Sequence, residues 1–437
     1  MSKQNMEFKD SGIPWIGEIP KHWEISKIKY VAKLKTGGTP NNSFGINVEN
    51  NGYPWITPAN IDENFNIKAD KFITEESLKI SNFSLFYSHT ILLIGIGATV
   101  GKIGYLLEKS YCNQQITALI PFNINSKFLL YYLHFIKHKI ILEASTNTLP
   151  IINNKILNNI SVIYPPLNEQ KKIAEFLDKK CEIIDKRLSN LERKIKSLKE
   201  YKKSLISECV TTGLNPKNME FKDSGIPWIG QIPKHWKISK IKYECFLKGR
   251  IGWQGLTTAE YIEEGAYLVT GVDFLNGNID WQNCVRVSEW RFNQAPEIQI
   301  KNNDLLITKD GTVGKIALTK DTPKQATLNS GVMLIRPKNK NYYEKFLFYI
   351  LSSDQFWLWF SYINSGNTTI IHLYQNSFDN FSFTLPPLNE QKEIAEFLDK
   401  KCEKIDRLNE NYTKQITALK EYKKSLIYEC VTGKKEI

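Results

Sequence analysis

The stretch PPLNEQKKIAEFLDKKCEIID, Pro165 to Asp185, returns 221 residues later as PPLNEQKEIAEFLDKKCEKID, Pro386 to Asp406, with only Lys172/Glu393 and Ile183/Lys404 exchanged. Paired prolines disfavour helix just before them, Asn168 is suited to cap, and Glu169 complements the helix dipole, so a helix is expected to begin here in both copies. Leu177, Cys181, Ile184, Leu188, Leu191, Ile195, Leu198, Lys202, Leu205 and Cys209 then follow at alternating spacings of four and three. Leu398, Cys402, Ile405, Asn409, Tyr412, Ile416, Leu419, Lys423, Leu426 and Cys430 repeat the pattern. Such heptads predict two long helices that bury matching seams on each other as a coiled coil, with Gly213 and Gly433 as stops. An ordinary core helix could carry the same stripe, but at 1.5 Å per residue Leu177 to Cys209 spans roughly 50 Å, the reach of a spacer. Lys202, Lys423 and Asn409 on the seam cost stability and are suited to fixing register and direction.

Outward from this block, MEFKDSGIPWIGEIPKHWEISKIKY, Met6 to Tyr30, returns from Met219 to Tyr243 with only Glu18/Gln231 and Glu24/Lys237 changed. LKEYKKSLISECV from Leu198 returns from Leu419 with Ser207 replaced by Tyr428. The chain is therefore a tandem duplication. Between the shared blocks, residues 31–164 and 244–385 diverge, keeping scattered matches such as GATVGKI from Gly97 against DGTVGKI from Asp310 and KFLLY from Lys127 against KFLFY from Lys345. A repeated frame around dissimilar contents implies that the contents do different work in the two halves. Short β-rich runs (Thr90 to Ile94, Ile116 to Pro121, Asp304 to Thr308, Gly331 to Arg336) beside helical patterns at Lys127 to Lys137 and Lys345 to Ser352 give each variable region an α+β reading. Glycine turns punctuate both, at Thr36 to Pro40 and at Lys248 to Gly255.

A length of 437 residues predicts about two to four folding units. With 42% hydrophobic and 24% charged residues the composition is that of a globular protein with sizeable cores. Fifty-eight Lys+Arg against 46 Asp+Glu give a net charge of +12, which favours polyanionic partners such as nucleic acid. The two helices, Glu169 to Thr212 and Glu390 to Thr432, carry a net +4 of that +12, so most of the excess lies outside them and the variable regions and ends are the better polyanion surface. The longest apolar run, Ile91 to Val100, is too short to cross a membrane. The start, MSKQNMEFKD, lacks the basic and apolar regions of a signal peptide, so a cytoplasmic protein is expected. Seven cysteines without a C-x-x-C pair fit buried thiols rather than disulfides or zinc, and no structural metal is expected.

Catalytic motifs fail on inspection. GIGATVGK, Gly95 to Lys102, would need glycine at Ile96 to be a phosphate loop, and Ile103 replaces the magnesium-binding Ser/Thr. Val100 occupies the third glycine position of the dinucleotide pattern. T-V-G-K is therefore expected to form a turn between strands with Lys102 or Lys315 pointing outward. Tyr164-Pro165-Pro166-Leu167 and Leu385-Pro386-Pro387-Leu388 lack the polar and aromatic members of an amino-methyltransferase motif. Glu200-Tyr201-Lys202 and Glu421-Tyr422-Lys423 mimic the end of a nuclease motif but lie on the helices. His22 and His235 are expected to pack beside Trp23 and Trp236, and no Ser-His-Asp, Cys-His or metal spacing stands out. The chain is expected not to be an enzyme by itself.

The order of variable region, P-P-L-x-E-Q-x-x-I-A-x-x-L helix, variable region and the same helix again resembles the specificity subunits of type I restriction-modification systems, over nearly the whole chain. The carriers are Pro165 to Leu177, Pro386 to Leu398, Gly12 to Gly17, Gly225 to Gly230 and the two T-V-G-K turns. The resemblance implies an α+β fold of two pseudo-repeated target-recognition domains, 1–164 and 214–385, joined by two long antiparallel coiled-coil helices, 165–213 and 386–437. It implies double-stranded DNA as ligand, each domain reading half of a split site, and two modification subunits as partners that carry S-adenosylmethionine and methylate adenine N6. Restriction subunits using ATP and magnesium would join them, and this chain itself would hold no cofactor. Base reading calls for side chains with paired donors and acceptors. The candidates near the glycine turns are Thr39, Asn41, Asn60, Lys102, Gln114 and Gln115 in the first domain and Arg250, Gln254, Lys309, Lys315 and Asn329 in the second. A scaffold of two protein-binding domains on a coiled coil is the alternative; salt-dependent DNA affinity separates the two.

Overall fold

The computed structural model describes residues 7–39, 46–47, 52–80, 83–146, 150–250, 256–339, 341–365 and 372–437. They form two compact units, one of Met1–Leu191 with Lys414–Ile437 and one of Glu192–Thr413. Both divisions fall inside long helices, Leu167–Thr212 and Leu388–Val431, so each unit holds the start of one helix and the end of the other. The units therefore differ from the boundaries drawn in sequence at 164/165 and 385/386, because the far end of each helix also packs on a globular part.

In the first unit the apolar run Ile91–Ile94 is buried along its whole length. Side chains alternate across a strand, so such a run must have cover on both faces. Ile91 and Leu93 join the large core with the helices, whereas Leu92 and Ile94 join a separate cluster with Ile56, Ile61 and Phe86. The strand lies in a four-stranded antiparallel sheet in the order Ala32–Thr36, Ile116–Pro121, Ile91–Ile94, Ile103–Tyr105. On one face sit helices Ser126–Phe135 and Asn154–Asn159; their side-chain caps, Asn125 and Asn153, accept from the backbone N–H of Phe128 and Ile156. Tyr53–Ile56 and Tyr111–Cys112 belong to a second four-stranded sheet. The repeated frame supplies the hairpin Phe8–Asp10/Glu18–Pro20, and strand Glu24–Lys27 pairs with Ser161–Tyr164.

The second unit repeats this plan. Its main sheet runs Cys245–Gly249, Val332–Pro337, Leu305–Thr308, Ile316–Leu318. Leu305, Ile307, Met333 and Ile335 face the helical core, and Leu306, Val332 and Leu334 face a second cluster. Helices Glu344–Ser352 and Asp354–Ile363 cover it, the latter through a dense aromatic group in which Phe356 stacks on Phe360 at 5.8 Å and Trp359 meets Phe381 at 4.9 Å.

The P-P-L-N-E-Q block acquires a physical meaning from what it touches. Glu169 accepts hydrogen bonds from His22 Nε2 and Trp23 Nε1, both at 2.8 Å, and Glu390 does the same for His235 at 2.7 Å and Trp236 at 2.8 Å. The glutamate expected only to complement the helix dipole thus clamps the amino-terminal frame to the helix. Gln170 is fully buried; it accepts from Asn125 N–H and donates to Pro165 carbonyl oxygen. Gln391, equally buried, accepts from Tyr343 N–H and donates to Pro386 and Asn341 carbonyl oxygens. About two turns further, Asp178 takes Lys127 and Tyr131, and Asp399 takes Lys345 and Tyr349.

Seam residues are buried or half-buried throughout. Leu177, Cys181, Ile184, Leu188 and Leu191 belong to the first unit, where Leu419, Leu426 and Cys430 share their core; Ile416 is half-buried there. Ile195, Leu198, Leu205 and Cys209 belong to the second unit with Leu398, Cys402, Ile405 and Tyr412. The two seam lysines are neutralised within their own units, Lys423 by Asp185 and Lys202 by Asp406, each at 2.7 Å. Gly213 and Gly433, at φ of 77° and 72°, follow the helix ends.

Candidate nucleic-acid interface

Antiparallel strand order brings the carboxyl ends of Ala32–Thr36 and Ile91–Ile94 together with the amino ends of Ile116–Pro121 and Ile103–Tyr105. The turns that leave and enter those strands therefore lie along one end of the sheet. Gly37 N–H donates to Ile116 carbonyl oxygen, Gly38 N–H to Cys112, and Gly95 N–H to Gln115. This places Thr39, Gln114, Gln115 and Lys102 at that end. Thr39 hydroxyl bonds to Gln114 Oε1, and Gln115 Oε1 accepts from Asn113 Nδ2 at 2.9 Å. The T-V-G-K turn joins two strands as expected, with Gly101 at φ 81°, a conformation that side-chain-bearing residues rarely adopt. Lys102 does not project freely: its side chain is 19% exposed and lies 3.5 Å from Glu63.

The equivalent end of the second sheet gathers Arg250, Lys309, Lys315 and Asn329. Lys309 N–H donates to Gly331 carbonyl oxygen, and Lys315 N–H to Thr308 hydroxyl at 2.9 Å. Lys315 is exposed, and its Nζ donates to Gly271 carbonyl oxygen at 2.9 Å. Beside Lys309, the carboxylate of Asp310 lies 2.6 Å from His372 Nδ1 on this edge. Asn41 and Gln254 lie outside the described residues.

Three candidates are drawn inward. Asn60 is buried; its Oδ1 accepts from Thr57 N–H and hydroxyl at 2.8 Å, and its Nδ2 donates to Asp70 at 2.7 Å. Asp273 caps Thr270 in the same way in the second unit, so this turn belongs to the shared scaffold. Asn329 Oδ1 accepts from Gly331 N–H at 3.2 Å, as Asn113 Oδ1 accepts from Gln115 N–H at 3.2 Å, so it too launches a strand in both units. Arg250 is 3% exposed and donates to Leu328 carbonyl oxygen and Thr327 hydroxyl. Burial and the nearby Arg291 lower its pKa.

The cap that removes Asn60 and Asp273 exposes another pair that sequence reasoning missed. Between cap and capped residue stand Ala59, exposed, and Val272, 85% exposed. Asn113 and Asn329 tie these turns to the sheet end through Ile56 and Val269 carbonyl oxygens, at 2.9 Å each. The signal was available as Thr57-x-x-Asn60 against Thr270-x-x-Asp273, an aligned cap with unlike interiors.

The shared frame, the two sheets of one topology and the helices that begin with P-P-L-N-E-Q also have a counterpart among known proteins. Type I restriction modification DNA specificity domains match residues 20–198 and again 233–418. The chain belongs to this family. The type I specificity family includes the MjaVIII specificity subunit of Methanocaldococcus jannaschii, 26% identical over 95% of this chain and 93% of its own length. It also includes the EcoBI specificity subunit of Escherichia coli, 22% identical over 86% of this chain and 84% of its own. Two solved structures share the fold. One, from work on complex assembly and conformational transition of the type I system, has a TM-score of 0.70 at 16% identity, over 95% of this chain and 99% of its own. The HsdS subunit of Thermoanaerobacter tengcongensis has a TM-score of 0.51 at 16% identity, over 95% and 98%. Among the described residues, no group of three or more His, Cys, Asp or Glu side chains is disposed to hold a metal, and no helix is long and apolar enough to cross a membrane.

Proposed function

We propose that this member of the type I specificity family reads a split double-stranded DNA site, each unit recognising one half through the turns at the end of its four-stranded sheet. One observation carries the reading: both units build the same frame with the same contacts, yet present different side chains at the same sheet end. Thr39, Gln114 and Gln115 stand there in the first unit, Lys309 and Lys315 in the second, with Asn41 and Gln254 adjoining in sequence. Such side chains offer donors and acceptors to base edges and phosphates, and an exposed Val272 offers an apolar surface to a thymine methyl group. Lys102 contributes positive charge near the edge rather than a free reading side chain. Asn60, Asn329 and Arg250 support the turns instead.

The long helices act as an antiparallel coiled-coil spacer between target-recognition domains 1–164 and 214–385. Support comes from the order of partners: Asp185 meets Lys423 and Asp406 meets Lys202, so rising numbers on one helix meet falling numbers on the other. The duplicated frame suits two copies of one partner, the modification subunits, which bring S-adenosylmethionine for adenine N6 methylation. Restriction subunits bring ATP and magnesium for cleavage. The chain itself is non-catalytic and works in the cytoplasm.

Long-read mapping of N6-methyladenine in cells carrying a type I modification subunit, with and without this chain, tests the proposal. A split motif methylated only when the chain is present is the expected result. An unchanged pattern although the complex forms would refute DNA reading and favour a scaffold that binds proteins.

A further inference from the structure

Lys202 and Lys423 occupy one position in the two helix copies, and Asp185 and Asp406 another. Lys423 Nζ lies 2.7 and 2.8 Å from the two Asp185 oxygens within the first unit. Lys202 Nζ lies 2.7 Å from both Asp406 oxygens within the second. The partners are crossed: the lysine of each helix takes the aspartate of the other. Aligning the copies in parallel would instead set Asp185 against Asp406 and Lys202 against Lys423, like charge on like. The apolar seam alone cannot make that choice, because both helices repeat largely the same apolar positions.

Burial gives the choice weight. The Lys423 side chain is 14% exposed and Asp185 26%, so an unpaired charge there would be far costlier than one on the surface. A slip of one heptad finds no free acid in one direction, because Asp178 and Asp399 are already held by Lys127 with Tyr131 and by Lys345 with Tyr349. The Glu-Tyr-Lys segments that resemble the end of a nuclease motif thus have a different use: their lysines are seam locks.

We propose that the Asp185–Lys423 and Lys202–Asp406 pairs fix the direction and register of the helix pair and thereby the number of base pairs between half-sites. The consequence for DNA rests on the reading proposed above; the lock itself does not. All four are positioning residues.

The test uses the full chain with its modification subunit and two readouts. Zero-length carbodiimide cross-linking followed by mass spectrometry reports whether Lys202 still meets Asp406. N6-methyladenine mapping reports the spacing of the split motif. Lys423→Glu should cut both the Lys202–Asp406 cross-link and methylation at the original spacing by about tenfold or more, in the range of coupling measured between contacting charges. The exchanged pair, Asp185→Lys with Lys423→Glu, should restore both. Should Lys423→Glu fail to fold, Lys423→Met keeps the apolar stem without the charge and is read in the same way. Unchanged cross-linking and spacing in the single variant, or no recovery in the exchanged pair, would overturn the lock. A wild-type chain that cross-links as described but directs no split methylation would sink the DNA reading and leave the lock standing.

Discussion

The carboxamide of Gln391 has no exposed surface and makes three hydrogen bonds, tying the start of the second long helix to the segment that enters helix Glu344–Ser352. Gln391→Leu would keep most of the volume and strand those backbone groups, at a cost of about 2 to 4 kcal/mol. A lower urea midpoint with an unchanged slope is the expected result, and an unchanged midpoint would refute the clamp. The thiols give a second residue-scale prediction. Burial pushes Cys112, Cys209, Cys245, Cys284 and Cys430 up to about 12 and Cys181 up to about 11, and it raises Cys402 as well. A thiol whose folded pKa is raised favours the fold below its unfolded pKa, and that contribution is lost as pH rises through the folded value. Stability should therefore fall between about pH 9 and pH 12, and iodoacetamide at pH 8 should label all seven slowly until the chain is unfolded. Fast labelling of any one in the native protein would contradict its burial. The sequence reading anticipated the buried thiols, but it could not tell Asn60 or Asn329 from base-reading side chains. Their chemistry is the same; only the neighbouring N–H groups, supplied by folding, commit them to caps.

At the scale of elements, strands were legible wherever burial on both faces left unbroken apolar runs. Expected Ile116 to Pro121 is found without change, and Gly331 to Arg336 is found as Val332–Pro337. Helix Asp354–Ile363 was not foreseen, because its aromatic run, Phe356, Trp357, Trp359 and Phe360, has the composition of a strand. It is helical because its apolar face packs against Phe378 and Phe381, a contact distant in sequence. The clamps by Glu169 and Gln170 were invisible for the same reason. Along the long helices, seam position alone does not set the value of a side chain. Leu426 is 2% exposed inside the first unit's core, whereas Leu198 is half-buried. Leu426→Ala should cost about 2 to 5 kcal/mol and Leu198→Ala clearly less, compared by denaturant unfolding of the full chain. Equal costs would mean that helix contacts, rather than the globular core, dominate at Leu426.

For the whole molecule, duplication separates what must stay constant from what is free to vary. Trp23 and Trp236 bond to Glu169 and Glu390, and the buried Gln170 and Gln391 bond to their own prolines, in both halves. None of these contacts reaches the sheet ends where Gln114 and Lys315 stand. A variable region taken from another family member should therefore dock on the same frame provided that it supplies the backbone N–H groups that Gln170 takes from Asn125 and Gln391 from Tyr343. Replacing 31–164 alone should change one half of the methylated motif and leave both the other half and the spacing as they were. On the proposed reading, half-site identity would follow the sheet end and spacing would follow the helices, whose seam lies wholly outside the exchanged segment. Altered bases in both halves would mean that the units do not read independently. Altered spacing with unaltered bases would mean that the globular contents, rather than the seam lysines, set the distance.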